Sequence, residues 1–537
     1  ADSINIEADN LNINFILPNS ASEDLSNSLA AITISGANFD ARVSDMIEAS
    51  LRDYNIEAHV SNILDENVPM SVYADYAFSR IDATMDSIAF FTNNPKGTLA
   101  MFVKENSTDA SYIAVYTGDS LSFKMGNEMC FETEKLDFNV SADYDDDQEN
   151  LILQWNPHAG IKLDKAIFSM SDISTPIYIP SIDFQYDATG IDIKNSSILL
   201  GNSDFELQGK FTNVDEFFRK EALLKGTLDF TSNYTDIGQI MELFSGMGDT
   251  TLVAEETSVT DTIEKEQEPF MVPKGINITL NTNIKKAVAG EMSLSDIAGG
   301  LTVKDGILVL KEVGFTTDAA TMMLTAMYKS PRRNHLYLGL DLHLLEIDIA
   351  EMIDMIPELD TLVPMLSSFA GKAEFHFAAE TYMKSNYDLK ISTLRGATAI
   401  HGKDLVILDN KTYKKIGRLL RFKDKEHNKI DNLSVEITAF KNEIDVYPTL
   451  ITVDKYQAVV GGRHNLDMTF DYKFGISNPW GLKWLGIIIK GTPEDMKFRL
   501  KRKSTIDLGN PNGDDAHLIE ETLRLKKIIY DSLNEGI

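Results

Sequence analysis

The chain has 537 residues, 43% of them apolar, enough to bury a large core, so wholesale disorder is excluded. Its 82 acidic side chains outweigh 50 basic ones for a formal charge of −32, a field that repels phosphate backbones and argues against nucleic acid as a partner. A single cysteine, Cys130, excludes an internal disulfide framework and a cysteine-rich metal site, and no run reaches the roughly 18 apolar residues of a spanning helix.

Residues 1–149 read as an N-terminal β region. Near its end Asp143, Asp145 and Asp147 imitate the opening of a calcium loop. The sixth position is Gln148, where the sharp turn needs glycine, and the twelfth is Gln154, where a bidentate glutamate belongs, so a solvated hairpin tip is the reading. Residues 150–246 form a β unit closed by a helix. Ile191 and Ile193 flank Asp192, Phe205 and Leu207 alternate with polar residues, and Leu228 and Phe230 flank Asp229. Period-two alternation is the mark of a half-buried antiparallel strand. Ile237, Ile240, Met241 and Phe244 then fall at helical spacing in Thr235 to Phe244.

Residues 247–272, rich in glutamate and poor in aromatics, read as an acidic linker or loop. Residues 273–384 repeat the first unit. Ile349, Met352, Ile353 and Ile356, on a helix from Asp348 to Ile356, lie 112 positions beyond the four apolar residues of the earlier helix. Leu336, Leu340 and Leu342 match Leu224, Leu228 and Phe230 at the same distance. Upstream the offset drifts: Met322 and Leu324 lie over Phe205 and Leu207, and Gly306-Ile307 over Gly190-Ile191. A looser third copy begins at Glu443. A repeated unit that cannot bury its own apolar face implies stacking into one elongated body.

Residues 385–510 form a C-terminal β region. Within it, Arg395 to Lys429 carries ten basic and four acidic side chains against the acidic background. A short basic helix is expected at about Thr412 to Leu420, with Lys411, Lys414, Lys415, Arg418 and Arg421 resting on anionic headgroups or facing water from a cap on the β body. Lys497, Arg499, Lys501, Arg502 and Lys503 read as the solvent face of a strand. Residues 511–537 hold a final helix, Asp514 to Leu533. Phosphate-loop, dinucleotide, nucleophile-elbow, zincin and CxxC motifs are all absent, and the nine histidines lack ligand spacing. His335 and His343 read as surface or packed side chains, and His464 as part of a turn before a strand. The expectation is therefore a protein that is not an enzyme, with no cofactor and no metal.

Three stretches carry a family resemblance: Ile182 to Phe244, with Phe205-Glu-Leu-Gln-Gly-Lys-Phe211; Leu405 to Asp409 followed by Ile416 to Lys423; and, most strongly, Val446 to Phe470, with the run Val-Gly-Gly-Arg-His-Asn-Leu-Asp-Met468. Over residues 150–510 the chain resembles the AsmA family, in particular the C-terminal region of its large Bacteroidota-type members, which are similar to bridge-like lipid-transfer proteins. The resemblance implies a periplasmic protein of the Gram-negative envelope, tethered to a membrane through a segment absent from this chain, acting in outer-membrane lipid homeostasis or assembly. Its fold would be mainly β, an elongated repeated antiparallel sheet curled into a groove with a few short amphipathic helices. The partners expected are phospholipid or another lipid, a membrane surface and other envelope proteins. On that picture Ile191, Ile193, Phe205, Leu207, Leu228 and Phe230 line the groove in the first copy, and Ile307, Val309, Leu324, Leu338, Leu340 and Leu342 in the second. The alternative is a structural or assembly scaffold of the envelope whose apolar residues pack a closed sandwich.

Overall fold

The computed structural model describes residues 4–17, 29–43, 47–62, 69–104, 110–145, 150–171, 175–187, 190–240, 269–318, 320–355, 369–407, 429–453, 456–465, 467, 469–477, 485–492, 495–503, 508 and 515–534. Strand accounts for 73% of the structure and helix for 10%, so the fold is mainly β, built on a large sheet of many strands. Four α-helices are described: α1 (Leu151–Trp155), α2 (Val214–Phe218), α3 (Ile349–Met355) and α4 (Ala516–Asn534). Helices α3 and α4 fall where apolar spacing places them. Asp348 starts α3 by accepting the N–H groups of Ala350 at 3.0 Å and Glu351 at 3.4 Å. Of the helix expected from Thr235 to Phe244, residues 237–240 are helical and Thr235–Asp236 is extended. Its remainder, nearly all of the acidic linker and the whole basic helix with Lys411, Lys414, Lys415, Arg418 and Arg421 lie outside the described residues.

The chain divides into two compact units, Ala1–Gln239 with Gly275–Asn281, and Ile240–Lys274 with Thr282–Ile537. The division falls inside the strand Ile276–Ala289.

In the first unit the strand pairs are antiparallel. Traced by ladder alone, ten strands close into a ring, where an open groove was expected. The ring runs from Ile47–Ser61 through Ser71–Ala77, Lys96–Val103, Ala110–Gly118 and Lys135–Asp143 to Pro157–Met170. It returns through Met129–Thr133, Ser120–Met125, Ile88–Asn93 and Arg80–Met85. The registers show how the ring is made. Arg52 pairs with Arg80 and Asn55 with Ala77, three residues on in one strand and three back in the other, so no residue is inserted at the break. The other breaks obey the same rule: Arg80–Asn93 against Ala77–Lys96, and Leu121–Thr133 against Leu136–Gly118. Each pair of short strands is one long strand kinked in the middle, and the ring is two rows of one antiparallel meander that share their outer strands.

The kinks line up across the sheet. Asp53, Asn94 and Lys165 hold left-handed φ values of 42°, 48° and 52° there, and backbone bonds bridge the row from Ser79 to Arg52 and from Asn94 to Ser79. Each kink shifts the alternation by one residue, so Ile56 and Ala58 above it are followed by Leu51 and Ala49 below it. The hydrogen bond between Thr92 of the lower row and Tyr116 of the upper row puts both apolar sets on the same side. Such irregularities bend a strand and increase its twist.

The second unit is also an antiparallel meander, from Met292–Lys304 to Met496–Arg502. The unit has true buried clusters on both sides. The largest centres on Leu344, Ile347, Phe375, Ile400, Leu405 and Ile430, with Ile349 of α3 in it and Ile353 packed against it. The second and third lie under α4.

Candidate functional site: the apolar side of the sheet

Side chains directly opposite on neighbouring strands share a face, so the ladders trace rows across the sheet. In the first unit one row reads Ile13, Ile34, Ile56, Tyr76, Gly97, Tyr116, Phe138, Ile161, Phe184, Ile193, Gly209 and Leu228. The row one residue away reads Asn12, Ser35, Asn55, Ala77, Lys96, Thr117, Asp137, Lys162, Asp183 and Lys194. One side of the sheet is thus apolar from strand to strand. The other is polar and crossed by ion pairs such as Lys162–Asp183 at 3.1 Å.

Among the described residues, α1 and α2 each cover part of the apolar side. Trp155 of α1 packs on Tyr112 and Tyr144, with ring centroids 5.2 and 5.0 Å away. Asp215 of α2 bonds the Tyr186 hydroxyl, whose pKa is raised by burial and by that carboxylate. Between these contacts Ile56, Ala58, Val72, Ala74, Met101, Phe138 and Ile161 are all half-buried, and Leu99 is 51% exposed. No cluster of buried apolar residues forms in this unit among the described residues; the four that exist are all in the second.

The six residues expected to line the first copy all lie on this side. Ile193 and Leu228 are members of the apolar row. Ile191 pairs with Phe211, and Leu207 with Phe230, whose ring lies 5.5 Å from that of Phe205. Leu228 is buried and the other five are half-buried.

The second unit has its own row: Leu310, Ala326, Leu340, Ala379, Gly396, Ala439, Ile444, His464, Phe470, Gly491 and Met496. Leu324, Leu338, Leu340 and Leu342 lie on that side and are half-buried. Ile307 and Val309 do not. They pair with Lys329 and Met327 on the opposite side, where Val309 is 1% exposed beneath Leu525 and Ile529 of α4. The cause is a one-residue slip in the repeat. Met322 stands over Phe205 at 117 positions, and so do the left-handed residues Glu312 (φ 49°) and Asn195 (φ 45°) at the register shifts of their strands. At that spacing Ile191 and Ile193 correspond to Leu308 and Leu310, and a shift of one residue moves a side chain to the other face. Leu308 and Leu310 therefore hold the places on the apolar side that were expected of Ile307 and Val309. Aligning the bulges rather than the glycines would have found them.

On the polar side, α4 is held by charge as well as packing. Glu436, with a side chain only 3% exposed, accepts the N–H groups of His517 at 2.6 Å and Leu518 at 3.0 Å and meets the His517 ring at 2.9 Å. A carboxylate at a helix N-terminus satisfies orphan donors and complements the helix dipole. Arg395 holds both Glu521 oxygens at 2.9 and 3.0 Å, and Arg524 holds Glu380 at 2.6 Å, which also accepts from Tyr337 at 2.9 Å. The Tyr337 hydroxyl is pushed far up by burial and by the Glu380 charge. Methyl-sized space is lacking here: a Cβ at Gly339 would meet Leu525 Cδ1 at 2.6 Å.

Several other titratable groups are held by neighbouring side chains. Asp143, from the calcium-like run, bonds Lys104 at 2.6 Å and Ser111 at 2.7 Å, and those bonds hold its carboxyl below the ordinary range. His464 sits inside the strand Tyr456–Asn465 rather than in a turn, 4% exposed, with Nδ1 2.9 Å from the Tyr472 hydroxyl. Burial pushes that hydroxyl up to about 12. His343 and His376 stack at 4.7 Å beside Glu374 and Asp341. Among the described residues no group of three or more histidine, cysteine or acidic side chains is placed to hold a metal ion, and no helix is long and apolar enough to cross a membrane.

No protein-family model matches the sequence, and comparison with curated proteins returns no relative.

Proposed function

We propose that this protein binds phospholipid acyl chains along the apolar side of its sheet, as a groove-forming, AsmA-like component of lipid traffic in the periplasm. The carrying observation is the first unit's apolar face. It runs from Ile13 to Leu228 with no buried cluster on it among the described residues, and most of its side chains remain half-exposed. A soluble protein seldom leaves so large a contiguous apolar patch unless something binds there. Hydrocarbon suits it, since each buried methylene gains about 0.8 kcal/mol and a lining without directional bonds sets no preferred resting point along its length. The opposite face keeps its Asn, Lys and Asp in water.

The test is lipid extraction and native mass spectrometry of the purified chain. Co-purifying phospholipid in stoichiometric or higher amount supports the reading. Lipid-free protein that also fails to take up a fluorescent fatty acid refutes it and leaves the scaffold role, in which partner proteins cover the same face.

A further inference from the structure

We infer that the outward face of α4 is where two copies of this chain pair, helix against helix and antiparallel. The inference goes beyond the acyl-chain reading and does not rest on it. Helix α4 lies on the polar side of the second unit, so pairing there does not compete with hydrocarbon for the apolar side. One face of the helix is committed to that unit through Leu518, Leu525 and Ile529, all buried. The other carries Ile519, Leu523 and Tyr530, which are 53%, 62% and 68% exposed and belong to no buried cluster of the described residues. With Lys526 between them, these residues follow steps of four, three and four, the spacing that keeps side chains in one row facing a second helix. Large apolar side chains left exposed in one such row mark an interaction site.

Symmetry and charge select the occupant. The row is symmetric about the point between Arg524 and Leu525. A two-fold axis there brings Ile519 against the partner's Tyr530, and Leu523 against the stem of the partner's Lys526, whose ammonium stays in water. Glu520 and Lys527, both exposed, lie on one flank of the row and are centred within one residue of the same point. Antiparallel pairing therefore sets each Glu520 beside the partner's Lys527, twice per dimer. A parallel pair would place Lys526 against its own copy and put neither flanking charge beside its opposite. Arg524 is outside this pattern, since Glu380 and Glu521 hold it. A bilayer finds no such match. The exposed charges of the helix, Glu520, Lys526, Lys527 and Asp531, cancel, in a chain that carries −32. The contact is one helix wide, at the low end of specific interfaces, below about 1,200 Å², so the dimer is weak and depends on concentration.

The experiment is sedimentation equilibrium of the purified chain up to its solubility limit, at about 0.15 M salt, where long-range repulsion between two acidic copies is screened. A monomer–dimer equilibrium is the expected result. Leu523→Glu, felt twice in the dimer, should weaken it about 100-fold. Glu520→Lys or Lys527→Glu alone should weaken it about ten-fold, since each sets like charges together at both ends of the pair. Mixing those two single variants should restore the parent's affinity in a mixed dimer, because every flank then meets its opposite. The urea midpoints of all three variants should match the parent's, as the altered side chains are exposed. A chain that stays monomeric throughout, a dimer indifferent to Leu523→Glu, or a mixture no tighter than either single variant overturns the proposal. So does a monomer that floats with phosphatidylglycerol vesicles until Leu523→Glu abolishes it, which would make the row a membrane contact. Uptake of a fluorescent fatty acid should be the same in parent and variants, so the acyl-chain reading stands or falls separately.

Discussion

Leu99 offers the sharpest test of whether the apolar side is open. It is 51% exposed on that side, and its ladder neighbours Ala74 and Ala114 are small. Full burial of a leucine is worth about 1.5–3 kcal/mol; at half burial, Leu99→Asp should cost about 1 kcal/mol of stability. In a closed core the same change would strand an unpaired charge and cost about 3–5 kcal/mol. The effect on hydrocarbon is larger than the effect on folding. A carboxylate that keeps water beside three or four methylenes removes about 3 kcal/mol of transfer energy, roughly 100-fold in local affinity. Urea unfolding reads the first quantity; competition with a fluorescent fatty acid, checked by lipid mass per chain, reads the second. Thr117→Asp, on the polar side opposite Lys96, should change neither. A stability loss near 4 kcal/mol, or an unchanged lipid load in Leu99→Asp, would refute the open-face reasoning.

Three further outcomes follow from the second unit. Leu525→Ala empties a site that is 4% exposed among Val309, Met327 and Tyr337, and should lower the urea unfolding free energy by about 2–4 kcal/mol. Burial alone would raise the Glu521 pKa, but the Arg395 hydrogen bond and the charges of Arg395 and Arg524 outweigh it and hold the carboxyl below its ordinary value. A depressed carboxylate stabilises the fold above its unfolded pKa, near about 4.3, and loses that contribution as pH falls through the folded value. Urea midpoints between about pH 6 and pH 3 should therefore fall less steeply in Arg395→Gln than in the parent, and parallel slopes would exclude the pair as a source of acid sensitivity. Glu312→Val forces a β-branched residue into a left-handed φ of 49° and should cost about 1–2 kcal/mol, measured by thermal melting.

How far the sequence reveals this architecture differs between the two units for a physical reason. Where one side of a strand faces water, as around Ile191 to Ile193 and Phe205 to Phe211, polar residues mark the phase and the residues of the apolar side are legible. Where α4 covers one side and the other is the apolar side, as in Ile307-Leu308-Val309-Leu310, the apolar run is unbroken and carries no phase, so the position of the bulge decides it. The kinks of the first unit leave no such signature. Three of them are made at Asp53, Asn94 and Lys165, ordinary surface residue types that take a left-handed conformation where glycine would be expected. The anchoring of α4 was equally hidden. Glu436, lying among many glutamates, becomes distinctive only when the fold places two backbone N–H groups over its carboxyl.

The position of α4 has a consequence for how the second unit is made. The helix covers strands that precede it by 81 positions at Glu436 and by 203 at Lys329. During synthesis those strands emerge first, and Val309, Met327 and Ala378 wait uncovered until residues 516–534 arrive. An interrupted chain thus displays a greasy patch on its outward surface that a finished one hides. Chaperones and proteases that read exposed hydrocarbon can tell the two apart.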